Sequence, residues 1–127
     1  MAETKGRQAL ASYRDLDVWS VSMDLAVACY RLTTTFPKSE VFGLTSQIRR
    51  ASASIPCNIA EGYGRRYKRE YVQLLYIAQG SLKELEMLVL LAVRVGVASE
   101  GSAQPVLATC DRTGRMLRAL IRSLQPG

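Results

Sequence analysis

Histidine is absent from this 127-residue chain, and with it the side chain most used for proton transfer near neutral pH and for binding transition metals. Cysteine is scarce. Cys29, Cys57 and Cys110 stand too far apart for a zinc-ligand spacing, so neither a metal nor any other cofactor is expected. An odd number of thiols without a secretory leader fits a reducing cytoplasm better than a disulfide framework. Long apolar runs are missing as well. The longest, Met87 to Val93, falls far short of a membrane span, so a cytoplasmic protein with no membrane partner is expected. Strand-like alternation, internal repeats and low-complexity linkers are also lacking, and the length suits a single domain.

The same shortages leave an enzyme little to work with. Acid–base catalysis would fall to Glu61, Glu70, Glu84 or a tyrosine, none with a partner at catalytic spacing, while Ser52 and Ser54 lack a nearby base. Gly62-Tyr63-Gly64 does not continue to the third glycine of a dinucleotide loop. No catalytic residue is expected. The remaining enzymatic alternative is a carboxylate-binding site built from Arg49 and Glu61.

Positive charge is what the chain has in excess. Lysine and arginine number 17 against 11 acids, for a net charge of +6. Residues 1–44 carry five of each sign, so the whole imbalance lies beyond Leu44, with Arg65, Arg66, Lys68 and Arg69 crowded into one short segment. Such asymmetry favours a polyanionic partner over a neutral small molecule. The plainer alternative is a solvated face that keeps the protein soluble.

Apolar spacing organises the remainder. Residues 1–12 show no sustained period and are expected to form a flexible tail, leaving 13–127 as one domain. Order is expected near Asp15, a candidate cap. Val18, Ser22, Leu25, Cys29, Leu32 and Phe36 then recur at three-four intervals along a first helix ended by Pro37, with Trp19, Met23, Ala26 and Tyr30 as a second buried seam. A second helix over 44–61 turns Leu44, Ile48, Ala51, Ile55 and Ile59 inward. Pro56 predicts a kink or a break into two helices, the small run Ala51–Ser54 invites close helix packing, and Gly62 and Gly64 offer a left-handed stop.

The third helix, 68–97, carries Tyr71, Leu74, Ala78, Ser81, Leu85, Leu88, Ala92 and Val95 at unbroken three-four spacing. Between Leu85 and Val95 only Glu86 and Arg94 are polar, more apolar surface than one bundle core can cover. The excess predicts an oligomer interface with Met87 and Leu91 in it. The alternative is that the fourth helix and the tail cover this surface unaided. That helix is expected to start at Ser102, to carry Pro105 in its first turn, and to turn Leu107, Cys110, Gly114, Leu117, Ile121 and Leu124 inward. Arg112, Arg115, Arg118 and Arg122 make a basic strip on its flank. The fold class that follows is all-α, an up-down-up-down four-helix bundle.

Two polar sets stand out. From Tyr63 to Tyr71, aromatics alternate with Arg65, Arg66, Lys68 and Arg69 at a helix connection, as contact with RNA or single-stranded DNA requires: cations on phosphates, tyrosine faces on unpaired bases. Tyr71 by its spacing belongs to the core, and Tyr63 suits packing against a helix end, so the cations carry the expectation. The second set, Arg49, Arg50, Asn58 and Glu61, reads either as a clamp for an anionic ligand or as a salt-bridge and hydrogen-bond set that satisfies buried polar groups; the structural reading is preferred.

Gln47-Ile48-Arg49-Arg50-Ala51, Ser54-Ile55-Pro56-Cys57-Asn58-Ile59-Ala60-Glu61-Gly62, the basic segment that follows, Phe42-Gly43-Leu44 and Gly80-Ser81-Leu82-Lys83-Glu84-Leu85-Glu86 appear in fixed order. Over roughly residues 13–98 the chain thereby resembles a bacterial four-helix-bundle family first noticed as reading frames within intervening sequences of 23S ribosomal RNA genes. The resemblance implies a small cytosolic protein assembled as a ring-like homo-oligomer, a homopentamer, with nucleic acid as partner and no settled activity. A related accessory protein of diversity-generating retroelements, also a basic helical pentamer that contacts nucleic acid and a reverse transcriptase, extends that expectation by analogy. The competing expectation is a protein-interaction scaffold whose arginines only solvate it.

Overall fold

The computed structural model describes residues 11–125, so most of the expected 1–12 tail lies outside the described residues. Four helices make up the fold: α1 Asp17–Thr34, α2 Leu44–Tyr63, α3 Lys68–Arg94 and α4 Glu100–Leu124. No strand occurs among the described residues. Asp15 does not cap α1. It ends a 3-10 turn, Tyr13–Asp15, whose capping box joins the Ser12 hydroxyl to the Arg14 N–H at 3.0 Å and the Asp15 carboxylate to the Ser12 N–H at 3.3 Å.

Each connection is short, and side-chain contacts fix the directions. Ser54 Oγ lies 2.8 Å from Ser81 Oγ, and Gly62 packs on Tyr71 and Leu74, so α3 runs antiparallel to α2. Arg49 Nε donates to Thr33 Oγ1 at 2.8 Å while the Cys29 thiol bonds Ser52, which sets α1 against α2. Gly114 faces Leu82, and the Tyr76 hydroxyl donates to Gln125 Oε1 at 3.3 Å, which sets α4 against α3. With α4 closing back on α1, the result is an up-down-up-down bundle in which α1 and α3 occupy one diagonal.

The core is drawn from all four helices, with Leu25, Ile48, Ile55, Ile59, Leu75, Leu85, Val89 and Leu117 fully enclosed. The first seam of α1 is buried throughout; the second is not. Met23 and Tyr30 face outward, because α2 and α4 together cover only the Leu25 side of the helix. A similar correction applies to α3. Val72, Leu75, Ala78, Leu82, Leu85, Val89 and Ala92 form its buried seam, whereas Tyr71, Leu74 and Ser81 lie half-buried beside α2 and Val95 is exposed.

Helix ends account for the other differences. Pro56 sits inside one continuous α2, so the break into two helices does not occur. Gly64 closes α2 in right-handed geometry, φ −80°, and Gly62 serves close packing: a Cβ there would meet Tyr71 Cδ1 at 2.9 Å and Leu74 Cβ at 3.2 Å. The left-handed stop falls instead at Gly96, φ +80°, after α3. There the Val97 N–H reaches Ala92 O at 2.9 Å and the Gly96 N–H reaches Val93 O at 3.1 Å, a Schellman closure that ends α3 earlier than its apolar spacing suggests. Ser99, not Ser102, caps α4; its hydroxyl accepts the Ser102 N–H at 3.1 Å, so Pro105 comes in the second turn.

Candidate nucleic-acid interface

The α2–α3 connection is a tight one. Gly64 and Arg65 donate their N–H groups back to Ala60 O and Gly62 O, and the chain then extends through Tyr67, φ −108° and ψ 139°, into the first turn of α3. That path leaves Arg65, Arg66, Lys68 and Arg69 all exposed at one end of the bundle. None of the four makes an ion pair among the described residues; the two ion pairs there are Lys83–Glu86 and Arg115–Asp111. Lys68 and Arg69 also occupy the positive end of α3, where no side chain caps the helix, so the backbone adds to their field and Glu70 offsets only part of it. Arg65, Arg69, Glu70, Gln73 and Leu74 line an open recess of about 370 Å³ beside this turn.

The tyrosines divide by role. Tyr63 and Tyr71 are half-buried against each other, ring centroids 6.2 Å apart and planes at 89°, which locks the end of α2 onto the start of α3. Tyr67 is exposed, and the Arg66 guanidinium lies 5.4 Å from its ring centre. The sequence reading did not single it out. Its signal was available: Tyr67 stands outside the helix bounds with a cation on either side.

The strip on α4 is exposed as well, but less purely basic. Arg115 is bound to Asp111 at 2.8 Å, and Arg118 shares a recess of about 190 Å³ with Lys83, Glu86 and Asp111. The helix carries the strip lengthwise. Arg122 lies toward the end that holds the α2–α3 turn, whereas Arg112 lies farther along α4 toward the other end.

Arg49, Arg50, Asn58 and Glu61 do not come together. Arg49 reaches α1, donating to Thr33 Oγ1 at 2.8 Å and Tyr30 O at 3.4 Å with its guanidinium 4.7 Å from the Tyr30 ring centre. Asn58 Nδ2 turns to Ser54, donating to its carbonyl at 2.8 Å and its hydroxyl at 3.1 Å. Arg50 bonds only Ser46, at 3.5 Å, and Glu61 is exposed without an ion pair among the described residues. Twelve residues of helix, about 18 Å of rise, separate Arg49 from Glu61, so the pair assembles no shared carboxylate site. Arg49, Arg50 and Asn58 each hydrogen-bond to separate neighbours, and none of the four joins an ion pair among the described residues.

Apolar exposure concentrates elsewhere. Met87 and Leu91 are 52% and 41% exposed, with Leu90 beside them, so within the described residues α4 does not cover this face of α3. Phe42, 94% exposed in the α1–α2 connection, shares a recess with Arg50 and Glu84 at the margin of that face, and it was not foreseen as a surface residue. No group of His, Cys, Asp or Glu among the described residues could hold a metal ion, and no helix there is long and apolar enough to cross a membrane.

The model of the 23S rRNA-intervening sequence proteins matches residues 14–119, most of the described bundle. The chain belongs to that family. A solved structure of a protein with unknown function from the S23 ribosomal protein family of Bacteroides thetaiotaomicron is similar to it. The TM-score is 0.74 at 21% identity, covering 83% of this chain and 98% of that one, a likeness of fold. No curated protein matches. For a 23S rRNA-intervening sequence protein, then, the four-helix architecture is shared while the chemistry has to be argued from the surface of this chain.

Proposed function

We propose that the chain is a non-enzymatic, homo-oligomeric bundle that binds nucleic acid, RNA in particular, through the α2–α3 turn. One observation carries this reading: four exposed cations, none in an ion pair among the described residues, surround an exposed tyrosine at a helix N-terminus. Cations on a short rigid turn neutralise successive phosphates and release their counterions, and Tyr67 offers a face on which an unpaired base can stack. Binding of this kind reads the backbone more than the sequence. Arg118 and Arg122 lie nearer the turn than Arg112 does and extend the basic path along α4.

The test is retention of single-stranded RNA by the full chain across salt. Affinity should fall steeply between about 50 mM and about 200 mM monovalent salt. Reversing Arg65, Arg66 and Arg69 together to Glu should abolish retention and flatten the salt dependence while leaving the helical spectrum and the assembly size unchanged. The same reversal at Arg112, Arg115 and Arg118 measures what the flank of α4 adds. A wild-type chain that retains neither RNA nor DNA at the lower salt would leave the scaffold reading in its place.

A further inference from the structure

We propose that the recess between α2 and α3 beside Phe42 is a binding site for an unpaired guanine base. It extends the reading above from phosphates to one base, and it rests on that reading only where the guanine belongs to RNA. The recess lies apart from the basic turn. Fourteen residues of α2, about 21 Å of rise, separate Arg50 from Gly64. Its volume of about 420 Å³ falls within the range of small-molecule sites, about 300–1,000 Å³.

Small side chains open the recess and a polar wall backs it. Buried Ala51 and half-buried Ser54 and Ser81 form the inner side, where the two serine hydroxyls lie 2.8 Å apart and Asn58 Nδ2 donates to Ser54 Oγ at 3.1 Å, so this wall is already fixed. The rim holds two opposite charges. Arg50 on α2 and Glu84 on α3 are both exposed, and neither joins an ion pair among the described residues; Arg50 has only a 3.5 Å bond to Ser46 Oγ.

A ligand that engages both must bring two acceptors side by side for the guanidinium fork and two donors side by side for the carboxylate. Among the bases of RNA only guanine does so. O6 and N7 lie on one edge and N1–H and the N2 amine on the next, whereas adenine sets its amine between two ring acceptors, cytosine has one donor group, and the N–H of uracil lies between two carbonyls. Phe42 supplies the remaining contact. It is 94% exposed at the rim and takes no part in the hydrophobic core, so its ring is open for a base to stack on.

Calorimetric titration of the full chain with the four nucleoside monophosphates at about 200 mM salt reads this site, because the phosphate is common to all and its attraction to the basic turn is weak there. Guanosine monophosphate should bind about 10-fold or more tighter than the other three, and inosine monophosphate, which lacks the N2 amine, should lose most of that advantage. Glu84→Gln turns one acceptor into a donor and Arg50→Gln removes the fork. Each should abolish the preference with the helical spectrum unchanged, and should one of them fail to fold the other carries the test. Phe42→Ala should weaken guanosine monophosphate about 5-fold or more. Reversing Arg65, Arg66 and Arg69 to Glu should leave this binding in place, so failure of the turn and failure of the recess are read separately. Oligouridine with and without a single guanine distinguishes the sources: a gain in retention that Glu84→Gln removes assigns a base within RNA, and equal retention beside intact monophosphate binding assigns the free nucleotide. Equal binding of the four monophosphates, or a guanine preference that survives Glu84→Gln or Arg50→Gln in a folded chain, overturns the site.

Discussion

Two helical glycines should respond to the same substitution with opposite signs. Alanine at Gly62 would place a methyl carbon 2.9 Å from Tyr71 Cδ1, 3.2 Å from Leu74 Cβ and 3.3 Å from the Tyr71 carbonyl oxygen. Two of the three neighbours, a Cβ and a backbone oxygen, move only with the backbone of α3, so relief requires the helices to part. Overpacking of this kind costs about 1–3 kcal/mol, against a gain of about 0.5–1 kcal/mol from alanine in a helix. Gly62→Ala should therefore destabilise by about 1–2 kcal/mol. Gly80→Ala meets no neighbour within 4 Å and should stabilise by about 0.5–1 kcal/mol. At roughly 4 °C per kcal/mol the two melting midpoints should differ by about 10 °C. Thermal unfolding followed by circular dichroism, in a Met87→Arg background so that assembly does not contribute, reads this directly. A Gly62→Ala chain as stable as its parent would refute the close-packing account of the α2–α3 contact.

Leu88 and Leu91 separate core from surface on one helix: Leu88 is 3% exposed and Leu91 41%. Arginine at Leu88 should cost on the order of 4 kcal/mol or more and unfold the chain, whereas at Leu91 it should leave a helical monomer by light scattering. Burial pushes the Cys29 and Cys110 thiols up to about 12, so alkylation at neutral pH should label Cys57 in the native chain and all three thiols in denaturant. The same shift has a sign in stability. Both thiols lie above the ordinary 9.0 in the folded chain, so the unfolded chain loses these protons first. Their contribution is whole below pH 9 and is lost as pH rises toward 12, a loss that substitution of both by Ala should reduce in denaturant titrations.

The four helices were legible because three-four apolar spacing persists through each, and the charge asymmetry was legible because it needs only a count. The inward face of α3 was legible at Ala78, Leu85, Leu88 and Ala92 but not in the first turns of the helix. That helix is apolar around most of its circumference, so two seams one residue apart both satisfy the period, and only contact with α2 and α4 selects Val72, Leu75 and Leu82 over Tyr71, Leu74 and Ser81. The outward turn of Met23 and Tyr30 has the same origin, since periodicity reports an apolar face but not which chain covers it. At the candidate interface the cations were visible in order. Tyr63 and Tyr71 were read as packing residues, and Tyr67 was legible too: with α3 expected from 68, it stands outside the helix between Arg66 and Lys68.

The α2–α3 turn lies at one end of the bundle, and the exposed apolar residues of α1 and α3, Met23, Val27 and Tyr30 and then Ile77, Met87 and Leu91, run along its sides. Copies joined through their sides about a single rotation axis all point the same way. Every Arg65–Arg69 segment would then open on one surface of the particle, while the α1–α2 and α3–α4 connections would form the other, where Lys38 cancels Glu40 and Arg94 cancels Glu100. Such a body is two-sided. It would hold a polyanion on one surface only, leaving the opposite surface to meet something of a different character or nothing at all.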